Sequence, residues 1–377
     1  MACVSSEALE TLTATPPVPR LAQSQSSGSK ARSAIRRWSQ RLVVVCAFVY
    51  PAALLSSCLA FYWLGEDWWV TAAGLYAPRI AFGIPLPFIV LALWLARRWR
   101  FWWTQLVSVF VLTVPLMGFS FPLPTAARSG EHSLRVLSFN VNSAYGGWRA
   151  VADKIFAETP DLVLLQECPW DQDLAEALRE RFPHVQSSTQ FIIASRYPIT
   201  KTVDPERLPF FGRARSPRFM HYVVASPAGD IAVYSIHPIS PRGVLHLHQF
   251  RAALHELRTG ALFAGDPETD MRTNSALRSQ QIAAVALAAE QESLPVLIAG
   301  DTNLPGLSAV LRKNLRSYTD GFRAASWGFG YTFPASHPFL RLDRILASEK
   351  LGFTSFHVAC GGVSDHLCVV ADIQALK

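Results

Sequence analysis

A chain of 377 residues, half of them hydrophobic and 17% charged, is too apolar for intrinsic disorder and long enough for one large domain plus a second part. The net charge of +7 is uneven: residues 1–133 hold 11 Lys and Arg against 5 Asp and Glu, whereas residues 134–377 hold 24 against 23. A nearly neutral C-terminal domain argues against a long nucleic-acid groove there, because such grooves carry a clear positive excess.

Residues 1–41 are rich in Ser, Pro and Arg without apolar periodicity, which predicts a disordered basic tail. Three apolar stretches follow, at 42–64, 78–96 and 101–123, each close to the ~20 residues that cross ~30 Å of hydrocarbon as a helix. Trp63, Trp68 and Trp69 gather at one end and Trp99, Trp102 and Trp103 at another, as interfacial anchors do. Pro85, Pro87 and Pro115 are tolerable kinks in such spans. Lys30, Arg32, Arg36, Arg37 and Arg41 precede the first stretch, and Arg97, Arg98 and Arg100 lie between the second and third. Glu66 and Asp67 occupy the first connection. The positive-inside rule then puts the tail in the cytoplasm and everything after a third span outside, with Arg79 at the outer interface. A cleaved leader ending at Leu55-Ser56-Ser57-Cys58 is the alternative, which the two later apolar stretches disfavour. The linker 124–133 reaches at most ~35 Å, so domain 134–377 works beside the membrane.

Within that domain LRVLSFNV (134–141) and DLVLLQE (161–167) read as strands around a helix near 147–158. FIIAS (191–195), FMHYVVA (219–225), IAVYSIH (231–237), VLIAG (296–300), RLDRILAS (341–348) and LCVVADI (367–373) are further strands, and 276–289 has helical composition. Strands interleaved with helices predict an α/β fold with mixed sheets. In 243–263, Leu247, Phe250, Leu254, Leu257 and Ala261 recur at steps of three and four, an amphipathic helix that packs on the core or meets lipid. The six cysteines, among them Cys168, Cys360 and Cys368, show no CxxC pair and no zinc spacing, and their pairing stays open.

The strands end in polar residues. LSFNV carries Asn140, LVLLQE delivers Glu167, YSIH delivers His237, and GDTN supplies Asp301 and Asn303. Asp343 sits among apolar neighbours in RLDRIL, and Ser364-Asp365-His366 precedes the last strand. Buried carboxylates cost several kcal/mol each unless a metal or partner compensates, so stability alone does not account for the pattern. In order and context, LSFNV, PDLVLLQE, SRYPI, His237, GDTN, YTFP (331–334), RLDRIL and SDH resemble the endonuclease/exonuclease/phosphatase superfamily, in a membrane-anchored bacterial form with deoxyribonuclease- and sphingomyelinase-like motifs.

The resemblance implies a four-layer α/β/β/α sandwich of two mixed sheets and dependence on Mg²⁺ or Mn²⁺. It makes Glu167 the main metal ligand, helped by Asn140 and Asp365. Asp301 would orient or deprotonate the attacking water, and Asn303 would hold a phosphate oxygen. His366, steadied by Asp343, would donate to the phosphoryl group, with His237 as a second histidine at the phosphate. The nuclease branch gives that histidine a carboxylate partner, and the SRYPI region offers none. In PFFGRARSPRF (209–219), Arg213, Arg215 and Arg218 form a basic loop suited to an anionic substrate or lipid headgroups. The function expected is a membrane-anchored phosphoesterase that opens a phosphodiester or phosphoanhydride of a lipid-linked or headgroup substrate by in-line attack of water. The alternatives are an extracytoplasmic nuclease and an inactive binding or sensor protein on the same fold.

Overall fold

The computed structural model describes residues 22–122, 133–168, 172–227, 229–241 and 271–376; the amphipathic stretch 243–263 and nearly all of the linker lie outside them. The chain first builds four helices: α1 (Ala22–Trp63), α2 (Trp69–Tyr76), α3 (Pro85–Leu95) and α4 (Trp102–Val111). Two expectations change here. Residues 22–41 of the expected disordered tail belong to α1. Among the described residues, the three expected spans reduce to one helix long and apolar enough to cross a membrane, Arg32–Trp63, or to two if a bent pair counts as one.

The reason is backbone breakage that a hydropathy window does not register. Pro78 stands at the break where Val70–Tyr76 and Arg79–Leu95 meet at 98°. The third stretch stops as a ten-residue helix, about 15 Å long, before an irregular turn, Leu112–Leu116, around Pro115. Arg79 is enclosed by protein rather than exposed. It is buried, and its guanidinium donates to the carbonyls of Leu75, Leu116 and Gly306. Tyr50, Leu54, Phe61, Leu75 and Leu116 form the module's interior. Many of its largest apolar side chains face outward, including Trp38, Phe88, Trp94 and Leu106.

The remainder is a sandwich of two six-stranded mixed sheets. The first has β1 (Leu134–Asn140) and β2 (Leu162–Gln166) parallel at its centre, flanked by β14 (Cys368–Ala375) and β13 (Leu351–Ala359) on one side. On the other side lie β4 (Phe191–Ser195) and β3 (His184–Ser188). The second centres on the parallel pair β9 (Gly229–Ile236) and β10 (Val296–Asp301). It is completed by β8 (Phe219–Ser226) and β5 (Ile199–Val203) at one edge, and by β12 (Asp343–Ala347) and β11 (Thr319–Asp320) at the other. A two-stranded hairpin, β6 (Leu208–Phe210) and β7 (Arg213–Arg215), stands apart.

Strand alternation builds the layers. Val136, Leu162, Leu164 and Ile193 face Tyr222, Val233 and Leu297 of the opposite sheet. Their neighbours Leu137, Phe139, Val163 and Ile192 face outward onto α5 (Trp148–Ala157) and α6 (Gln172–Arg179). On the far side α7 (Met271–Glu290) and α8 (Ala309–Leu315) cover Tyr234, Ile236 and Ile298. A short helix, α9 (Gly321–Ala325), packs against β13. The result is the expected helix–sheet–sheet–helix order.

Candidate active site

The central strands of both sheets end at one edge of the sandwich. The parallel pairs β1/β2 and β9/β10 deliver their C-terminal ends there, carrying Asn140, Glu167, His237 and Asp301. Antiparallel β12 and β14 deliver their N-terminal ends, so Asp343 stands directly across from Asp301, and His366 sits just before β14. Gly300 makes this possible: a Cβ there would lie 2.0 Å from the Ile236 carbonyl oxygen, and its φ of +148° is open to glycine.

Asp301 Oδ2 is the meeting point. It accepts from Asn140 Nδ2 at 3.1 Å and lies 3.6 Å from His237 Nε2 and 3.7 Å from His366 Nε2. Its other oxygen accepts the Asn303 N–H at 2.8 Å. Glu167 Oε1 is 3.2 Å from His237 Nε2 and accepts from Asn140 Nδ2 at 3.0 Å. His366 Nδ1 pairs with Asp343 Oδ2 at 2.9 Å, and the Phe333 ring covers the imidazole at 4.8 Å. The Ser364 hydroxyl donates to the Asn140 carbonyl, docking the 364–366 loop on β1. Glu167 and Asn303 both take left-handed backbone (φ +57° and +49°), conformations that cost about 1–2 kcal/mol and persist where surroundings enforce them.

Electrostatics separate the roles. Burial alone would raise the Glu167 carboxyl. The hydrogen bond and charge of His237, the Asn140 amide and the His366 charge override it and hold the group at about 2. Burial would lower the His366 imidazole, but the Asp343 and Asp301 carboxylates outweigh it and push it up to about 9. The two carboxylates thus favour the protonated, donating form of His366.

Two groupings offer themselves to a cation. Asp301, Asp343 and His366 place one ligand atom each within 4.8 Å of one another, but a protonated His366 bonded to Asp343 has no lone pair to give. Glu167 fits better: it is ionised, keeps 28% of its side chain exposed, and presents the oxygen that hard cations prefer. Asn140 stands with its nitrogen toward both carboxylates and its oxygen on the Asn142 N–H. Ligation by Asn140 requires the opposite orientation of that amide. Asp365 lies within electrostatic reach of His366.

Of the basic loop, Arg218 reaches the site and its two companions do not. Arg213 and Arg215 lie exposed on β7, whereas Arg218 donates to the His237 carbonyl at 2.7 Å and stands 2.9 Å from His237 Nδ1. Gln190, absent from the sequence reading, completes this arrangement. Its Oε1 is 2.7 Å from His237 Nδ1 and accepts from Arg218, the place where a carboxylate partner was sought. A cleft of about 980 Å³ opens beside Glu167, lined by Arg179, Gln190, Ser216 and Arg218 among others.

A buried acid–histidine pair, an ionised carboxylate at a cleft and a second histidine, all at one edge of a double-sheet sandwich, define a metal-dependent hydrolase of phosphate ester bonds. The profile of the Endonuclease/Exonuclease/phosphatase family matches residues 137–366, and the chain belongs to that family. No curated protein matches the chain in sequence. Among solved structures it is similar to an endonuclease/exonuclease/phosphatase from Beutenbergia cavernae DSM 12333, with TM-score 0.47 and 19% identity over 65% of this chain and 72% of that one. It is also similar to D. rerio TDP2 complexed with single strand DNA product (TM-score 0.45, 17% identity, 64% and 99% covered). A beta toxin from Staphylococcus aureus with bound magnesium ions gives TM-score 0.45 and 14% identity, with 63% and 99% covered.

Proposed function

We propose that this protein is a membrane-anchored, Mg²⁺-dependent phosphoesterase that opens a phosphodiester or phosphoanhydride bond of a lipid-linked or headgroup substrate outside the cytoplasm. The observation that carries the chemistry is the convergence on Asp301 Oδ2 of Asn140, His237 and His366 within 3.1–3.7 Å. When bound, a divalent cation supplies positive charge to the phosphoryl oxygens. Glu167 is the residue assigned to hold it, with Asn140 and Asp365 assisting.

Asp301, with one oxygen fixed by the Asn303 N–H, orients the attacking water and takes its proton. Asn303 steadies a phosphate oxygen through its carboxamide. His366 donates from Nε2 as charge builds on phosphorus, while Asp343 keeps the ring oriented and protonated through Nδ1. His237 presents Nε2 to the same space, with Nδ1 2.7 Å from Gln190 Oε1 and its backbone carbonyl accepting from Arg218.

Three observations support the location. The outward faces of the N-terminal helices are apolar, as lipid-facing surfaces are. Lys and Arg concentrate in the N-terminal part of α1 and between α3 and α4. Cys360 and Cys368 are joined in a disulfide, which suits an oxidising compartment. The near-neutral charge of residues 134–377 favours a lipid-linked substrate over nucleic acid.

The test offers the full-length protein, in detergent with Mg²⁺, a soluble phosphodiester, a phosphomonoester, a polyprenyl diphosphate and DNA. Hydrolysis of the diester or diphosphate, abolished by EDTA, is the expected result. Cleavage of DNA alone overturns the substrate assignment, and inertness toward every substrate overturns the enzyme.

A further inference from the structure

Resting on the phosphoesterase reading, we propose that the N-terminal helical module is part of the catalytic unit, with Tyr76 at the end of α2 as a positioning residue that fixes Asn303. The segment from Asn303 to Ala309 leaves the site and runs against the module. There three residues of the stretch between α1 and α3 hold its polar groups. The Tyr76 hydroxyl donates to the Asn303 carbonyl at 2.8 Å. The Arg79 guanidinium donates to the Gly306 carbonyl. Buried Glu66 accepts from the Ser308 hydroxyl and from the Ala309 N–H at the start of α8.

Arg278 closes the network. It is buried on α7, donates to the Tyr76 hydroxyl, and donates to the Ile239 carbonyl at 3.0 Å. Next to Ile239, the Pro238 carbonyl accepts the Asn303 Nδ2 at 3.0 Å. Asn303 is thus tied at its backbone to Tyr76, at its side chain to the chain after His237, and at its N–H to Asp301. Such ties are what a left-handed asparagine needs to stay in place.

A second loop of the site is pinned by the same module. Ser120 pairs with Gly328, and the Tyr331 hydroxyl donates to the Met117 carbonyl. One residue on, the Thr332 hydroxyl accepts the Asp343 N–H, and Phe333 lies against His366. These two loops of the site are therefore anchored on an N-terminal module that the sandwich does not contain, and a chain separated from its module would lose these contacts.

The test compares full-length wild type, Tyr76→Phe and Tyr50→Phe in detergent. Tyr50 supplies the control because its hydroxyl also donates to a carbonyl, that of Phe82, but inside the module. Turnover of a soluble phosphodiester and hydrogen exchange in the peptide 302–309 are read together. For Tyr76→Phe the expected result is a kcat about tenfold lower with KM little changed, and faster exchange in that peptide. Tyr50→Phe is expected to match wild type in both. Equal losses in the two variants, or wild-type kcat and exchange in Tyr76→Phe, overturn the proposal alone. A wild-type chain that hydrolyses no phosphate ester overturns it together with the functional reading.

Discussion

The N-terminal helices are richer in apolar residues than the sandwich, and the two regions place those residues oppositely. In the sandwich Leu137, Phe139 and Leu164 are fully buried, and polar residues occupy the strand ends. In the helical module Trp38, Phe88 and Leu106 face outward, while Glu66, Arg79 and Gln105 are buried. Water selects the first arrangement and a hydrocarbon solvent permits the second. Hydropathy along the chain separates the two regions, and the direction of the side chains shows what each of them buries.

The sharpest difference lies at the reacting centre, where the sandwich buries charge for chemistry. His366→Gln removes the donor and is expected to lower kcat about 10²–10³-fold with the fold intact, as steady-state kinetics and circular dichroism would report. The pH profile carries the sign. A raised imidazole keeps the donor form up to about 9, so wild-type rates fall as pH climbs through that value, and His366→Gln loses this alkaline limb.

A structural charge behaves differently. Burial would raise Asp320, but Arg341 and Arg344 hold it at about 2, and it also caps α9. Asp320→Asn leaves both guanidinium groups without a counter-ion and is expected to cost about 3 kcal/mol at neutral pH. The sign is that of a depressed carboxyl. Its stabilisation is complete above the unfolded value near 4 and drains away as pH falls toward 2, which Asp320→Asn should flatten in acid titrations of the thermal midpoint.

The smallest effect divides the two regions most cleanly. Leu137→Ala in the sandwich interior should lower stability by about 3 kcal/mol. Leu106→Ala on the outer face of α4, 71% exposed, should change it by less than about 0.5 kcal/mol in detergent. A comparable loss at Leu106 would show that protein, not lipid or detergent, covers that face.

Much of the site was legible because strand ends are legible. A continuous apolar run that stops at Glu167, His237 or Asp301 reveals both the strand and the edge to which it points. The outer strands β3 and β5 were missed, since their residues are half-buried or exposed and form no apolar run. Gln190 was invisible for another reason: its partner His237 is 47 residues away, and no local pattern marks an amide that replaces a carboxylate. The spans were overcounted because apolar content runs on through the 98° bend after Tyr76, where a straight helix does not. Arg79, read as an awkward residue at an interface, proved to be a buried link to the active-site loop.

Binding of Mn²⁺ to the full-length protein, followed by electron paramagnetic resonance in wild type and in Glu167→Gln, tests most directly whether these scattered side chains build one metal-assisted phosphoryl site. Wild type should take up the ion and Glu167→Gln should lose that uptake, with hydrolysis of the soluble diester lost in parallel. Equal uptake by the two chains, or full turnover by Glu167→Gln, contradicts the assignment.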